Sequence, residues 1–466
     1  MSMDMAIRGG NVVTADASYT ADIGVRGGVI AQIGGTMDAP KEIDATGKLV
    51  TPGGVDIHVH FEPDELLGSD WKGMVDGYYS GSAGAAIGGI TTFGNMVAPL
   101  GDEGEGNGRE GVMDMLQRSE ASALANSVLD FTLHPIIYHP TPEAIAEIPR
   151  LAENGYYSIK IFTLFQFDRR VKDFIKAIDA AHRHGVITMM HCEDQPLNGY
   201  LGNRLVSEGK SGIEHYNDSR PDYAEAIATA RAVAIGRATG ASIYVVHLSS
   251  KAALEVTRRN AVEGQRVYVE TRPIYLHLDA RSFDEPNAAK YTGWPPLRDP
   301  EDVEALWHGI NAGNIHTVCS DHAPWGLDRK LDPNLDVRSF LPGMANLETM
   351  LPMLYDDGVR TGRITANRWV DLVATTPAKL FGMFPQKGTI AVGSDADLAI
   401  WDPERTRKIR GEEMASNAGF DIYEGREVRG WPEYTISRGE VIVDGGELVG
   451  RRGRGLRVIR GPHRPL

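Results

Sequence analysis

In the stretch VDIHVHF (55–61), Val55, Ile57 and Val59 alternate with Asp56, His58 and His60. Side chains alternate across a β-strand, so this run puts apolar groups on one face and a carboxylate with two imidazoles on the other. Seven further runs of similar texture follow it: ITTFGNM (90–96), DFTLHPIIY (130–138), YSIKIF (157–162), VITMMH (186–191), SIYVVH (242–247), RVYVET (266–271) and IHTVCSD (315–321). Helical stretches such as AEAIATARAVAIGRATG (224–240) separate them, which is the pattern of a parallel sheet built from βα units. Eight such units over residues 51–384 predict an α/β fold, a (β/α)8 TIM-like barrel.

Both ends of the chain read differently. MAIRGGNVVT (5–14), ADIGVRGGVIAQIGG (21–35) and KEIDATGKLVTPG (41–53) are short alternating runs broken by glycines, an antiparallel signature. The same texture returns in GTIAVGSDADLAIWDP (388–403) and YTISRGEVIVDGGELVG (434–450). Residues 1–50 and 385–450 are therefore expected to form one small β-sandwich domain assembled from both termini. A basic tail, 451–466, carries six arginines and is expected either to lie on an acidic neighbouring subunit or to be disordered. GDEGEGNGREG (101–111) reads as a solvated loop, and the segment from Phe61 to Trp71 as a loop over the barrel mouth.

Composition narrows the function. With 48 Lys+Arg against 63 Asp+Glu the net charge is −15, and no basic run with interleaved aromatics precedes the tail, so nucleic acid is not an expected partner. No apolar stretch approaches the ~20 residues of a membrane helix, and the start MSMDMAIRGGNVV lacks a signal-type run. Cys192 and Cys319 are too few for a disulfide framework. A cytoplasmic protein without a membrane partner is expected.

The barrel reading gives scattered polar residues a common place. His58 and His60 end the first run, His191 the fifth, His247 the sixth and Asp321 the eighth. In a barrel these ends converge on the C-terminal face, where catalytic groups sit. Four imidazoles and a carboxylate are ligands that zinc-type divalent metals prefer, whereas packing alone would place Val, Ile or Leu there. Lys160 joins them, because in YSIKIF the apolar Ile159 and Ile161 share one face and leave Lys160 on the other, toward the barrel interior. A buried, unpaired ammonium is costly. Either its stem snorkels to water, or a neutral amine captures CO₂ as a carbamate whose two oxygens each bind a metal.

HVH (58–60), SIKIF (158–162), HCED (191–194), VVHLSS (245–250) and CSDHAP (319–324), in that order, resemble the binuclear cyclic amidohydrolases: dihydropyrimidinase, hydantoinase, allantoinase and their relatives. The resemblance extends through TRPIYLHLD (271–279), KYTGWPPLRD (290–299) and TTPAKLFGMFPQKGTIAVGSDADLAIWDP (375–403). It implies two divalent metals per chain, zinc foremost with Mn, Co or Ni as alternatives. It also implies that His58, His60 and Asp321 hold one metal, that His191 and His247 hold the other, and that carbamylated Lys160 bridges them. The expected reaction is ring opening of a cyclic amide, imide or ureide by metal-bound hydroxide, with Asp321 as general base and then general acid. A homo-oligomer, tetramer or dimer, is implied as well.

Three departures bear on substrate. Phe165 stands five residues after Lys160, where many dihydropyrimidinases and hydantoinases have a tyrosine that can hydrogen-bond the oxyanion. Trp294 replaces a small serine, and LPGMAN (341–346) is closer to the corresponding loop of allantoinases. Phe165 and Trp294 are thus the candidate substrate contacts, in a more aromatic pocket. Besides an allantoinase- or dihydroorotase-like hydrolase, two other readings stand: a barrel lyase with a Schiff base on Lys160, and a non-catalytic assembly protein of the collapsin response mediator type. A lyase has no need of four strand-end histidines, and an assembly protein has no need of a complete ligand set.

Overall fold

A computed structural model of the chain describes residues 2–68, 71–100, 110–165 and 167–466. Its centre is an α/β arrangement of eight parallel strands: β1 (Gly54–Val59), β2 (Ile90–Val97), β3 (Asp130–Pro135), β4 (Ser158–Phe162), β5 (Ile187–His191), β6 (Ile243–Val245), β7 (Val267–Thr271) and β8 (Thr317–Val318). Each lies within or overlaps one of the eight runs picked out in the sequence. Strands β1–β3 form one parallel sheet and β4–β8 another. Single bridges link them at both edges, Ile136 with Lys160 and Val59 with His322. The Ile137 N–H donates to the Lys160 carbonyl and the His60 N–H to the His322 carbonyl, each at 2.8 Å. Every residue of β1, β2 and β3 is buried, as strands covered on both faces require.

Parity places Lys160 as expected. Ile159 and Ile161 pack in the same apolar cluster as Phe174, Ala177 and Ile178 of the helix Phe167–Arg183, while Lys160 lines the cavity at the strand ends. Several strands are shorter than the sequence suggested, β3, β6 and β8 most: β3 stops at Pro135, β6 at Val245 and β8 at Val318, and His247 (φ 38°) and Asp321 (φ 47°), at the ends of the last two runs, adopt left-handed backbone that a strand cannot contain. Non-glycine residues held in that region cluster at functional sites.

Strands from both termini hydrogen-bond into one nine-stranded sheet. Its seam is Leu49–Pro52 against Leu398–Lys408, where Val50 pairs with Ile400. Met5, Ile7, Val25, Val50, Ile400 and Ile436 share the apolar cluster beneath it. The chain passes from Pro52 almost directly into β1, so the sheet sits against the base of the first barrel strand.

A buried lysine pins the two parts together. Lys387 Nζ donates to Asp130 of β3 and to Asp397, both at 2.7 Å, and lies 3.0 Å from Asp395. Burial would lower its pKa, but Asp397, Asp130 and Asp395 together raise it above the ordinary 10.5. This stabilisation is therefore complete below the unfolded lysine pKa and is lost only as pH rises through the folded one. Lys387→Met strands Asp130 and Asp397 in the interior without their cation, and the expected cost is about 3–5 kcal/mol. Thermal and denaturant unfolding of the metal-loaded protein check this; an unchanged transition would mean that Arg438, which also reaches Asp130 at 3.1 Å, suffices alone.

The C-terminal segment corrects an expectation. Neither disordered nor free, it runs along the molecule's own surface, with the Phe131 N–H donating to the Leu456 carbonyl and the Val458 N–H to the Phe131 carbonyl. Arg454 is buried and donates to the carbonyls of Val128 (3.0 Å) and Ser437 (2.9 Å). Two backbone carbonyls and the Glu440 carboxylate, 3.0 Å from Nε, satisfy a guanidinium expected on a neighbouring subunit or in a disordered tail. The acidic stretch 101–111 falls mostly outside the described residues, as do residues 69 and 70 of the mouth loop.

Candidate metal centre

The six predicted ligands converge. His58 Nε2 and His60 Nε2 each lie 3.1 Å from Asp321 Oδ1. His191 Nδ1 lies 2.9 Å from His247 Nε2. Lys160 Nζ, fully buried, has no hydrogen-bond partner and sits 4.9 Å from the centroid of the Phe162 ring. His60, Lys160, His191, His247 and Asp321 all line one cavity of about 810 Å³.

Outer partners fix which nitrogen His58 and His191 present. Glu270, fully buried on β7, lies 2.7 Å from His58 Nδ1 and also accepts from the Tyr244 hydroxyl and the His247 N–H, both at 2.9 Å. His58 Nδ1 therefore carries the proton, and the Nε2 lone pair faces the Asp321 carboxylate. Glu193 Oε2 lies 2.8 Å from His191 Nε2, which leaves the Nδ1 lone pair facing His247. The His58 Nε2 lone pair and the Asp321 carboxylate repel unless a cation lies between them, whereas His191 Nδ1 and His247 Nε2, 2.9 Å apart, can share a proton or turn both nitrogens to a cation. The arrangement, with the partnerless Lys160 amine beside it, fits divalent metals, and ligand histidines oriented by carboxylates are typical of such sites.

Electrostatics point the same way. Burial holds the His60 imidazole down at about 4 and the Lys160 ammonium at about 8, and it lowers His191 and His247 as well, so the nitrogens are biased toward their neutral, metal-binding forms. Burial would raise the Asp321 carboxyl, but the Arg272 guanidinium, with Nη1 3.2 Å from Oδ2, holds it well below the usual range. Asp56 shares the interior side with His58 and accepts from the His58 and Ser320 N–H groups, tying β1 to the loop that carries Asp321. Burial pushes Asp56 up to about 6.

Phe165 and Trp294 both line the cavity. Phe165 (φ 54°) meets Tyr138 edge-on at 5.3 Å and Phe162 at 5.6 Å. Leu341, Pro342 and Gly343 of the departing loop line it too, held from behind by buried Lys330, whose ammonium donates to the carbonyls of Thr292, Leu341 and Gly343. Phe61, Pro63 and Trp71 of the mouth segment complete this wall.

Other histidines and cysteines keep structural places. His322 lies outside the cavity lining, buried with Nε2 2.8 Å from Asp76 Oδ2. His182, His184 and His308 are exposed. Cys192 and Cys319 are free and buried, and burial pushes the Cys192 thiol up to about 12. Among the described residues, a second acidic group, Asp130, Asp395 and Asp397, has metal-like spacing, but Lys387 Nζ already occupies its centre.

Sequence reasoning missed Glu270, Arg272, Glu193, Tyr138 and Trp325. The signal for the first two was present: charged residues in and just after the otherwise apolar run RVYVETR (266–272) have no place in a packed strand unless paired.

Comparison with known proteins agrees with this geometry. Residues 49–442 match the amidohydrolase family. The chain is 37 % identical over 454 residues to a D-hydantoinase of Ralstonia pickettii, covering 96 % of this chain and 97 % of that protein. It is 34 % identical over 468 residues to a D-phenylhydantoinase of Escherichia coli O9:H4 (strain HS), covering 99 % of each. The solved D-hydantoinase (dihydropyrimidinase) from Thermus sp. superposes with a TM-score of 0.92 at 35 % identity, over 98 % of this chain and 99 % of that one. With the family's profile spanning residues 49–442, and full-length relatives above 30 % identity, the chain belongs to the amidohydrolase family and is a hydrolase of carbon–nitrogen bonds other than peptide bonds.

Proposed function

We propose that the protein opens the ring of a cyclic amide, using two divalent cations held by His58, His60, Asp321, His191, His247 and a carbamate on Lys160. The observation that carries this reading is the meeting of two sets of facing ligand atoms around the partnerless Lys160 amine at one cavity. The proposal includes closure of the two parallel sheets into one (β/α)8 barrel spanning 51–384, and folding of 1–50 with 385–450 as a β-sandwich. It also includes a cytoplasmic homo-oligomer. Among the described residues no helix is long and apolar enough to cross a membrane.

Bound cations, zinc foremost, would polarise the ring carbonyl and make hydroxide available near neutral pH. The protein's own groups supply the rest. Asp321 accepts the proton of the attacking water and delivers it to the departing ring nitrogen; oxygen bonds to the carbonyl carbon, the C–N bond breaks, and a carboxylate appears. Burial and the carboxylates of Glu270 and Glu193 hold the imidazoles in the binding tautomer.

Phe165 cannot donate to an oxyanion, and loss of one such donor costs ~10²-fold or more. Its aromatic surroundings, with Trp294, Trp71 and Trp325, favour a ring bearing a planar or apolar substituent. The names of the relatives, D-hydantoinase and D-phenylhydantoinase, support a hydantoin. Aryl-substituted hydantoins should therefore exceed dihydrouracil in kcat/KM, and Phe165→Tyr should raise the rate on dihydrouracil. A panel adding allantoin, dihydroorotate and cyclic imides, run alongside metal analysis, tests the whole reading. About two metal equivalents with hydantoin turnover support it; dihydrouracil as best substrate with no gain from Phe165→Tyr removes the specificity argument, and absence of metal removes the mechanism.

A further inference from the structure

Trp294, a wall of the cavity, carries a guanidinium on its ring: Arg220 Cζ lies 4.2 Å from the ring centroid. Arg220 Nη1 donates to Glu193 Oε1 at 2.8 Å, and the other oxygen of that carboxylate lies 2.8 Å from His191 Nε2. Wall, guanidinium, carboxylate and ligand imidazole thus form one unbroken chain of contacts. The main chain of each charged member is anchored, which leaves the side chains to one another. The Glu193 N–H donates to the Thr163 hydroxyl at 2.9 Å, and that hydroxyl reaches the Glu193 carbonyl at 2.7 Å. The Arg220 carbonyl accepts from Arg298 Nη1 at 2.6 Å, and Arg298 pairs with buried Glu225.

Glu193 is 1 % exposed and Arg220 10 % in their side chains, so neither charge can exchange its partner for water. Glu193 Oε1 also accepts from Asn198 Nδ2 at 3.3 Å, and hydrogen bonds that share one carboxylate strengthen or weaken together. We propose that Glu193 and Arg220 are positioning residues that couple the seating of Trp294 to the hold on His191, so that the cavity wall and the metal ligand stabilise one another. The inference rests on reading His191 as a ligand and Trp294 as a substrate wall.

The test measures Zn²⁺ affinity by chelator competition on the full-length protein, together with KM for 5-phenylhydantoin. Glu193→Gln should weaken Zn²⁺ by about 10–100-fold, the usual effect of losing a ligand's outer partner. Trp294→Ala should raise KM and also weaken Zn²⁺ by about threefold or more, and Trp294→Phe, which keeps a ring under the guanidinium, should recover the Zn²⁺ affinity. In the double variant Glu193→Gln/Trp294→Ala the loss in Zn²⁺ affinity should fall short of the product of the single losses, since the wall then has no route to His191. Should the alanine variant fail to fold, Trp294→Leu repeats the measurement. Zn²⁺ affinity changed less than about threefold by loss of the indole, or a double loss equal to the product, overturns the coupling. His191→Ala separates the two levels: if it retains every Zn²⁺ the ligand reading fails, whereas if it loses one and the Trp294 variants change nothing, only the coupling fails.

Discussion

Replacing Lys160 with alanine is expected to strip most of the metal from the protein and abolish turnover. The amine is fully buried, its nitrogen has no hydrogen-bond partner, and it stands among four imidazoles and Asp321. An ammonium left there would be an unpaired interior charge beside a cation site, and burial already lowers its pKa to about 8. A carbamate would resolve both costs, because it would remove the positive charge and offer two oxygens to the cations. The loss should exceed ~10²-fold in activity, since even the outer partners of metal ligands are worth 10–100-fold. Metal content per chain and kcat are the measurements, with short carboxylic acids added to the variant to replace the missing oxygens. Partial recovery with acetate or propionate would support the bridge. A Lys160→Ala protein with two metals and full turnover would rule it out.

What the sequence made legible was parity. Alternation within each run assigned His58, His60 and Lys160 to one side, and run ends assigned His191, His247 and Asp321 to one rim; the structure brings all six together. Parity within a strand says nothing about the neighbour across the ladder, which depends on register. Glu270 reaches His58 because β7 pairs with β8 and the chain just past β8 bridges to β1 through His322 and Val59, and its carboxylate also spans to Tyr244, whose strand pairs it with Tyr268. Glu193 and Arg220 meet across 27 positions, beyond any local pattern. Arg272 was hidden differently: it follows β7 in a segment read only as part of a resemblance, and its role appears once Asp321 is placed in three dimensions. The tail failed for a compositional reason, since six arginines in sixteen residues suggest solvent, yet buried carbonyls can satisfy a guanidinium as well as water does.

Asp321→Asn preserves shape and removes the proton acceptor, and a fall in kcat of ~10²-fold or more is expected. Geometry gives Asp321 two separate tasks: Oδ1 faces His58 and His60 at 3.1 Å, while Oδ2 faces Arg272 Nη1 at 3.2 Å. An asparagine can still place an oxygen toward the first pair, so the variant should retain part of its metal, and rates must be compared at equal metal loading. Because Arg272 holds the Asp321 carboxyl well below the usual range, it is ionised throughout the neutral region. The rise of rate with pH should accordingly report the attacking water rather than this carboxylate, and it should persist in Asp321→Asn at a lower plateau. In the proposed reaction the same depressed proton affinity would serve the second half: a proton placed on Asp321 beside a guanidinium would be released readily to the departing ring nitrogen. Loss of the base should then hurt substrates with poor leaving nitrogens most. A metal-loaded Asp321→Asn enzyme that turns over close to the wild-type rate would exclude the proton shuttle, leaving Asp321 a ligand alone.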